Sequence, residues 1–168
     1  MHPIVELAKK SIETYIKEGR IIEPPEPLPP AMAEKAGVFV CIKKHGELKG
    51  CIGTITPSYE SVAIETIRNA ISAATKDPRF NPVKEGELKE LDYSVDVLSS
   101  PEKIKHQSEL DPKKYGVIVV CGNRKGVLLP DLEGIDTIEE QLRIAKMKAF
   151  ILPDEKIDIF RFEVKRYT

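Results

Sequence analysis

Apolar residues recur at three- and four-residue steps in some stretches of this chain and at every second position in others. Ile4, Ala8, Ile12, Tyr15 and Ile16 form one helical stripe, so His2 to Glu18 is predicted as an amphipathic helix. Pro3 suits its first turn and Gly19 its end. Ile64, Ile67, Ile71 and Ala74, widened by Ala63 and Ala70, mark a second helix. It is expected to begin at Thr56-Pro57-Ser58 and to end at Asp77-Pro78. Thr137-Ile138-Glu139-Glu140 reads as a capping box, and Ile138, Leu142, Ala145 and Ala149 give the helix after it a buried stripe.

The strands follow from two other patterns. Val38 to Lys43 is strongly β-forming, Lys44-His45-Gly46-Glu47 is a turn, and Leu48 to Ile55 returns, which predicts a hairpin. Tyr93, Val95 and Val97 alternate with Ser94 and Asp96, so one face of that strand is apolar and the other polar. Val117 to Cys121 is apolar throughout and reads as a strand covered on both faces, turning at Gly122–Gly126 and pairing back through Val127-Leu128-Leu129. Ile157 to Tyr167 alternates as a C-terminal strand, with Phe160, Phe162 and Val164 on one face. Between these elements, five prolines from Pro24 to Pro30 dictate a stiff extended strap over the chain's own surface. No internal repeat is legible. Hairpin-linked strands with interspersed helices give an α+β fold with mainly antiparallel sheet.

Composition narrows the function classes. Charged residues make up 32% and apolar residues 41% of the 168, which fits a globular chain. A net charge of −1 argues against a general nucleic-acid or anionic-membrane binder. No apolar run approaches the ~20 residues that span a bilayer, and Met1 to Lys10 has no signal-peptide core, so a cytoplasmic location is expected. Cys41, Cys51 and Cys121 are odd in number and widely spaced, which argues against a disulfide framework. Cys41 and Cys121 sit in plain strand contexts and read as inert fillers.

The candidate chemistry is concentrated in Leu48-Lys49-Gly50-Cys51-Ile52-Gly53. Glycine inside a strand gives up packing and marks a bulge or a close approach by backbone or ligand. Two of them bracket one thiol. Lys49 would share a strand face with Cys51 if no bulge intervenes, and would then lower its pKa. The loop after the second helix carries Arg79 with Phe80 and Asn81 beside it, which reads either as an anion-binding fork with ligand contacts or as a structural loop in which Arg79 bonds Asp77 or loop carbonyls and Phe80 plugs the core. His2, His45 and His106 offer no evident base for a Cys-His pair. No metal-ligand spacing and no cofactor motif is present, so neither a metal nor a cofactor is expected.

These residues resemble the AMMECR-one family, whose signature Leu-Arg-Gly-Cys-Ile-Gly stands here as Leu48-Lys49-Gly50-Cys51-Ile52-Gly53. Lys49 keeps the charge of the family's Arg without its planar fork. Ala73-Ala74-Thr75-Lys76-Asp77-Pro78-Arg79-Phe80, Ser94–Leu98 and Gly126–Pro130 resemble further family segments, in order. The resemblance implies one domain over 1–168 with two unequal lobes, the larger holding both termini, each with an antiparallel sheet and packed helices, and a cleft between them near the signature. It also implies association with Memo-like and radical-SAM proteins. Two functions follow as expectations. One is a cleft that binds or acts on a small ligand, with Cys51 as nucleophile or contact and Lys49, Gly50, Gly53, Arg79, Phe80 and Asn81 around it. The other is a non-catalytic interaction or scaffold module, in which the glycines serve packing and Cys51 is filler. Whether the chain is an enzyme stays open at this point.

Overall fold

The computed structural model describes residues 1–168. The chain forms two compact units, Met1–Leu98 with Lys165–Thr168, and Ser99–Val164. Each is a four-stranded antiparallel sheet with helices packed on it, an α+β architecture.

The first unit begins with α1, Pro3–Glu18. The His2 imidazole accepts the Ile4 N–H at 3.2 Å, and Gly19 closes the helix at φ +67°, donating its N–H to the Tyr15 carbonyl. Ile4, Val5, Ala8 and Ile12 face the core. The proline strap is not extended throughout, since it bends at the cis peptide Glu26-Pro27; Pro30 then opens the short helix α2, Pro30–Ala33. Proline is tolerated there because the first helical N–H has no partner to lose. The hairpin consists of β1, Val38–Lys44, and β2, Glu47–Gly53. The strand β3, Leu91–Leu98, lies on the other side of β1. Val38, Val40, Ile42, Tyr93 and Val95 point into the core, where α3, Val62–Thr75, covers them together with α1.

The second helix of the sequence pattern therefore starts later than expected. Thr56-Pro57-Ser58 does not cap it; Ser61 does, its Oγ accepting the Ile64 N–H at 3.3 Å. The cause is Glu65, fully buried in the first turn of α3. Its carboxylate accepts the N–H groups of Ser58 and Tyr59, both at 2.9 Å, and the Thr54 hydroxyl at 2.6 Å. Those bonds hold residues 54–59 as a loop around the charge. Asn69, one turn on, donates from Nδ2 to Thr54 Oγ1 and to the Val38 carbonyl.

The second unit carries β4, Glu102–Lys103; β5, Gly116–Cys121; β6, Arg124–Leu128; α4, Ile138–Lys148; and β7, Asp158–Phe162. Thr137 caps α4 by accepting the Glu140 N–H at 3.1 Å. The expected single C-terminal strand is two: β7 in this sheet and β8, Val164–Tyr167, in the first.

One topology occurs twice. The first sheet has the order β2-β1-β3-β8 and the second β6-β5-β7-β4. Each is a hairpin, then a helix that covers it, then a strand returning beside the hairpin's first arm. Each second arm carries a glycine beneath its helix. A methyl group on Gly50 would lie 2.2 Å from the Ala73 carbonyl oxygen, and one on Gly126 1.9 Å from that of Ala145. The repeat is one of backbone path and packing, carried by different residues, which is why no repeat shows in the sequence.

Candidate functional site

The signature segment is β2, an edge strand of the first sheet. Its pairing with β1 changes register. Lys44 faces Glu47 and Lys43 faces Leu48, but Ile42 faces Gly50 and Cys41 faces Cys51. Lys49 is thus the extra residue of a β-bulge. The bulge decides which side chains share a face, because a one-residue slip sends every later side chain to the opposite side. With it, Cys51 stands directly opposite Cys41 on the face away from the core, and the two sulfurs are joined as a disulfide. The expectation of three unpaired cysteines is corrected here; Cys121 alone is free. Cys41, read from the sequence as inert filler, is the direct partner of Cys51.

The expected thiol activation by Lys49 does not arise. The Lys49 side chain is directed to Glu87, 3.4 Å from its carboxylate, which also takes Lys44 at 3.0 Å. The Lys84 backbone N–H, followed by the Lys44 ammonium, holds the Glu87 carboxyl down at about 2. The helix after the hairpin begins at Val62, not near Thr56. Gly50 and Gly53 make close approaches within the fold itself. Gly50 lies under the backbone of α3, and Gly53 lies under the ring of Phe39, where a methyl group would meet the ring at 2.2 Å.

Cys51 is instead fixed by the loop that follows α3. Its backbone N–H donates to Asp77 Oδ2 at 3.0 Å. Its carbonyl accepts from the Arg79 guanidinium at 3.2 Å. On an edge strand these groups have no neighbouring strand to pair with. The Asp77–Arg79 pair supplies that neighbour from side chains. Asp77 is buried, and it accepts the Arg79 N–H at 3.1 Å and two guanidinium contacts at 3.0 and 2.8 Å. The Arg79 guanidinium, helped by the Cys51 and Arg79 backbone amides, drives the Asp77 carboxyl far below the ordinary carboxylate range. Asp77 in turn raises the pKa of Arg79. Phe80 lies under the guanidinium, 5.2 Å from ring centre to Cζ, and its N–H closes the turn onto the Asp77 carbonyl. Asn81 is exposed at the end of the loop.

The structure thus brings Cys51, Arg79 and Phe80 to one sheet edge and sends Lys49 elsewhere. It adds Cys41 and Asp77. It also adds a row of outer-face residues on β3, where Ser94 stands opposite Cys41 and Asp96 opposite Phe39. Asp96 is buried and accepts two hydrogen bonds from Arg166 of β8, at 2.8 and 2.7 Å. The histidines are occupied at other places. His2 caps α1 against the Tyr167 ring, His45 meets Glu90 at 2.9 Å, and His106 heads a short turn closed by Glu109. No three His, Cys, Asp or Glu side chains converge as a ligand set, and no helix is long and apolar enough to cross a membrane.

Comparison with known proteins adds to this picture. The sequence profile of the family described as AMMECR1 matches residues 5–167. A protein of Thermotoga maritima is 53% identical over 169 residues, spanning 99% of this chain and 97% of its own. A protein of Clostridium acetobutylicum is 51% identical over 167 residues, but these cover only 36% of its length. The crystal structure of an uncharacterised protein from Pyrococcus horikoshii superposes with a TM-score of 0.89 at 37% identity, covering 97% of this chain and 88% of that one.

Proposed function

This chain belongs to the AMMECR1 family, and on that premise we propose that it handles a small ligand at the outer face of its first sheet, with Cys51 as the residue that touches it. One observation carries the reading. The Asp77–Arg79 loop bonds both backbone groups of Cys51, which fixes the position of a half-exposed side chain at a sheet edge. Burying the Asp77 carboxylate to hold that position is costly, and packing alone does not need it. Arg79, 56% exposed at its side chain, remains wet enough to meet an anionic group on the ligand. Gly50 and Gly53 support the site by letting α3 and Phe39 close over the strand. A cytoplasmic setting and a pathway shared with Memo-like and radical-SAM proteins belong to the same proposal.

The test is iodoacetamide labelling of the reduced, native protein, read by peptide mass spectrometry. Cys51 is expected to label without unfolding and faster than Cys41. Labelling of Cys51 only in denaturant contradicts the reading.

A second reading, a protein-interaction module, is favoured by a different observation. Met147, Phe150 and Leu152 are 61, 86 and 63% exposed at the end of α4. Phe150 sits at φ +57°, and Arg124 Nη1 donates to its carbonyl at 2.9 Å, so its ring is displayed on a braced loop. Exposed apolar residues in one place mark contact surfaces. Under this reading Phe150→Asp abolishes binding of a purified Memo-like protein while Cys51→Ser leaves it intact; the reverse pattern counts against it.

A further inference from the structure

We infer that Cys41 and Cys51 form a dithiol–disulfide couple that exchanges two electrons with small thiols, and that Cys51 is the sulfur attacked. The inference rests on the proposal above that Cys51 is the working residue, and it assigns the chemistry.

Three placements carry it. First, the two cysteines face one another across adjacent strands and are bonded, while both stay partly exposed on the face away from the core. Reduction and re-oxidation there need no movement of the core. Second, the strand order β2-β1-β3 makes the couple asymmetric. Thiol–disulfide exchange is a displacement at sulfur, with the entering thiolate in line with the bond that breaks. In-line attack on Cys51 comes from beyond β2, the sheet edge that no further strand covers and that the Asp77–Arg79 loop borders. In-line attack on Cys41 would come from over β3, where Ser94 stands directly opposite. Third, Arg79 lies at that open edge and bonds the Cys51 carbonyl, so its positive charge meets an incoming thiolate.

One thiolate of a small dithiol attacks Cys51 Sγ, the Cys41–Cys51 bond breaks, and Cys41 leaves as a thiolate. The second thiolate of the dithiol attacks its own partner sulfur in the mixed disulfide. Cys51 leaves as a thiolate and the small molecule becomes a disulfide. Two electrons pass to the protein, and two protons complete its thiols. Re-oxidation by a small disulfide runs the same steps in reverse. No base is required, which suits a site with no histidine near it.

The test uses the whole chain in glutathione buffers of varied oxidised-to-reduced ratio, with acid quench, alkylation and peptide mass spectrometry. Cys41 and Cys51 are expected to change state together, with one midpoint reached from either starting state, while Cys121 titrates by itself. Cys41→Ser and Cys51→Ser, each with Cys121→Ser, are then exposed to oxidised glutathione. Capture at Cys51 is expected to be about tenfold or more faster than capture at Cys41, as set by access. A pair that opens only in denaturant, or that never closes in any native buffer, overturns the couple. Equal capture rates overturn the assignment of Cys51. If Cys51 labels natively in iodoacetamide but the pair does not cycle, the exchange chemistry fails while the ligand-site reading stands. If Cys51 is silent in both experiments, both fail.

Discussion

The Asp77 carboxylate accepts the backbone N–H of Cys51 at 3.0 Å, across 26 residues of chain. That bond ties the loop after α3 to the edge strand, and Arg79 completes it from the carbonyl side. Asp77→Ala removes four contacts with the amide of Cys51 and with Arg79. Since Arg79 remains exposed to water, the expected loss is about 2 kcal/mol, the scale of charge-assisted hydrogen bonds. Chemical denaturation measures it. Hydrogen exchange at the Cys51 amide should rise by more than the global loss explains.

The same residue predicts an acid dependence. The Asp77 carboxyl is depressed in the folded chain from an ordinary value of 3.8, chiefly by Arg79. A depressed carboxylate contributes stability that is fully present above its unfolded pKa and is lost as pH falls through the folded value. Glu87, held at about 2, acts in the same direction. The melting temperature of the wild type should therefore fall as pH drops below about 4.5. Asp77→Asn should show a shallower fall over that range. Equal slopes would contradict the assignment.

The two glycines of the signature should differ in their tolerance of a methyl group. At Gly50 it meets the backbone oxygen of Ala73 at 2.2 Å, and a helix backbone cannot yield locally. Gly50→Ala is expected to cost about 3 kcal/mol, at the upper end for overpacking. At Gly53 the obstacle is the half-buried ring of Phe39, which can turn. Gly53→Ala should cost about 1 kcal/mol. Denaturation midpoints of the pair decide the matter, and Gly126→Ala should behave like Gly50→Ala because Ala145 stands over it.

Glu65 organises the loop before α3. Glu65→Ala leaves the amides of Ser58 and Tyr59 and the Thr54 hydroxyl without their acceptor. A loss of about 3 kcal/mol is expected, from three partly buried hydrogen bonds to a carboxylate lost together. Proteolysis of residues 54–61 should accelerate in the variant. Unchanged cleavage would mean the loop is held by other contacts.

How much of this was legible in the sequence depended on the kind of signal. Stripes such as Ile4, Ala8 and Ile12, and the Thr137 cap, gave α1 and α4 to within a residue or so, because periodicity and capping are local. The start of α3 was not, since Thr56-Pro57-Ser58 is as good a local start as Ser61. A buried carboxylate nine residues beyond Thr56 decides between them. The Cys41–Cys51 pairing was hidden by one residue. A regular hairpin turning at His45-Gly46 sets Cys41 opposite Gly50 and sends Cys51 to the other face; the bulge at Lys49 restores the match. The odd glycine at position 50 was the available hint, since strand glycines mark bulges. For Arg79 the sequence leaves two readings open, a ligand fork or a bond to Asp77; the structure makes the bond to Asp77, and the path of the loop that brings it to Cys51 is not revealed by spacing.

The central claim is that Cys51 reacts in the folded chain. The most direct measurement is the rate at which dithiothreitol reduces the Cys41–Cys51 bond, followed against guanidinium concentration below the unfolding transition. Reaction through the native sheet edge predicts a rate that is fast in water and flat across that range. A rate near zero in water that climbs steeply with denaturant would mean that the bond is reached only by unfolding, and would contradict the account.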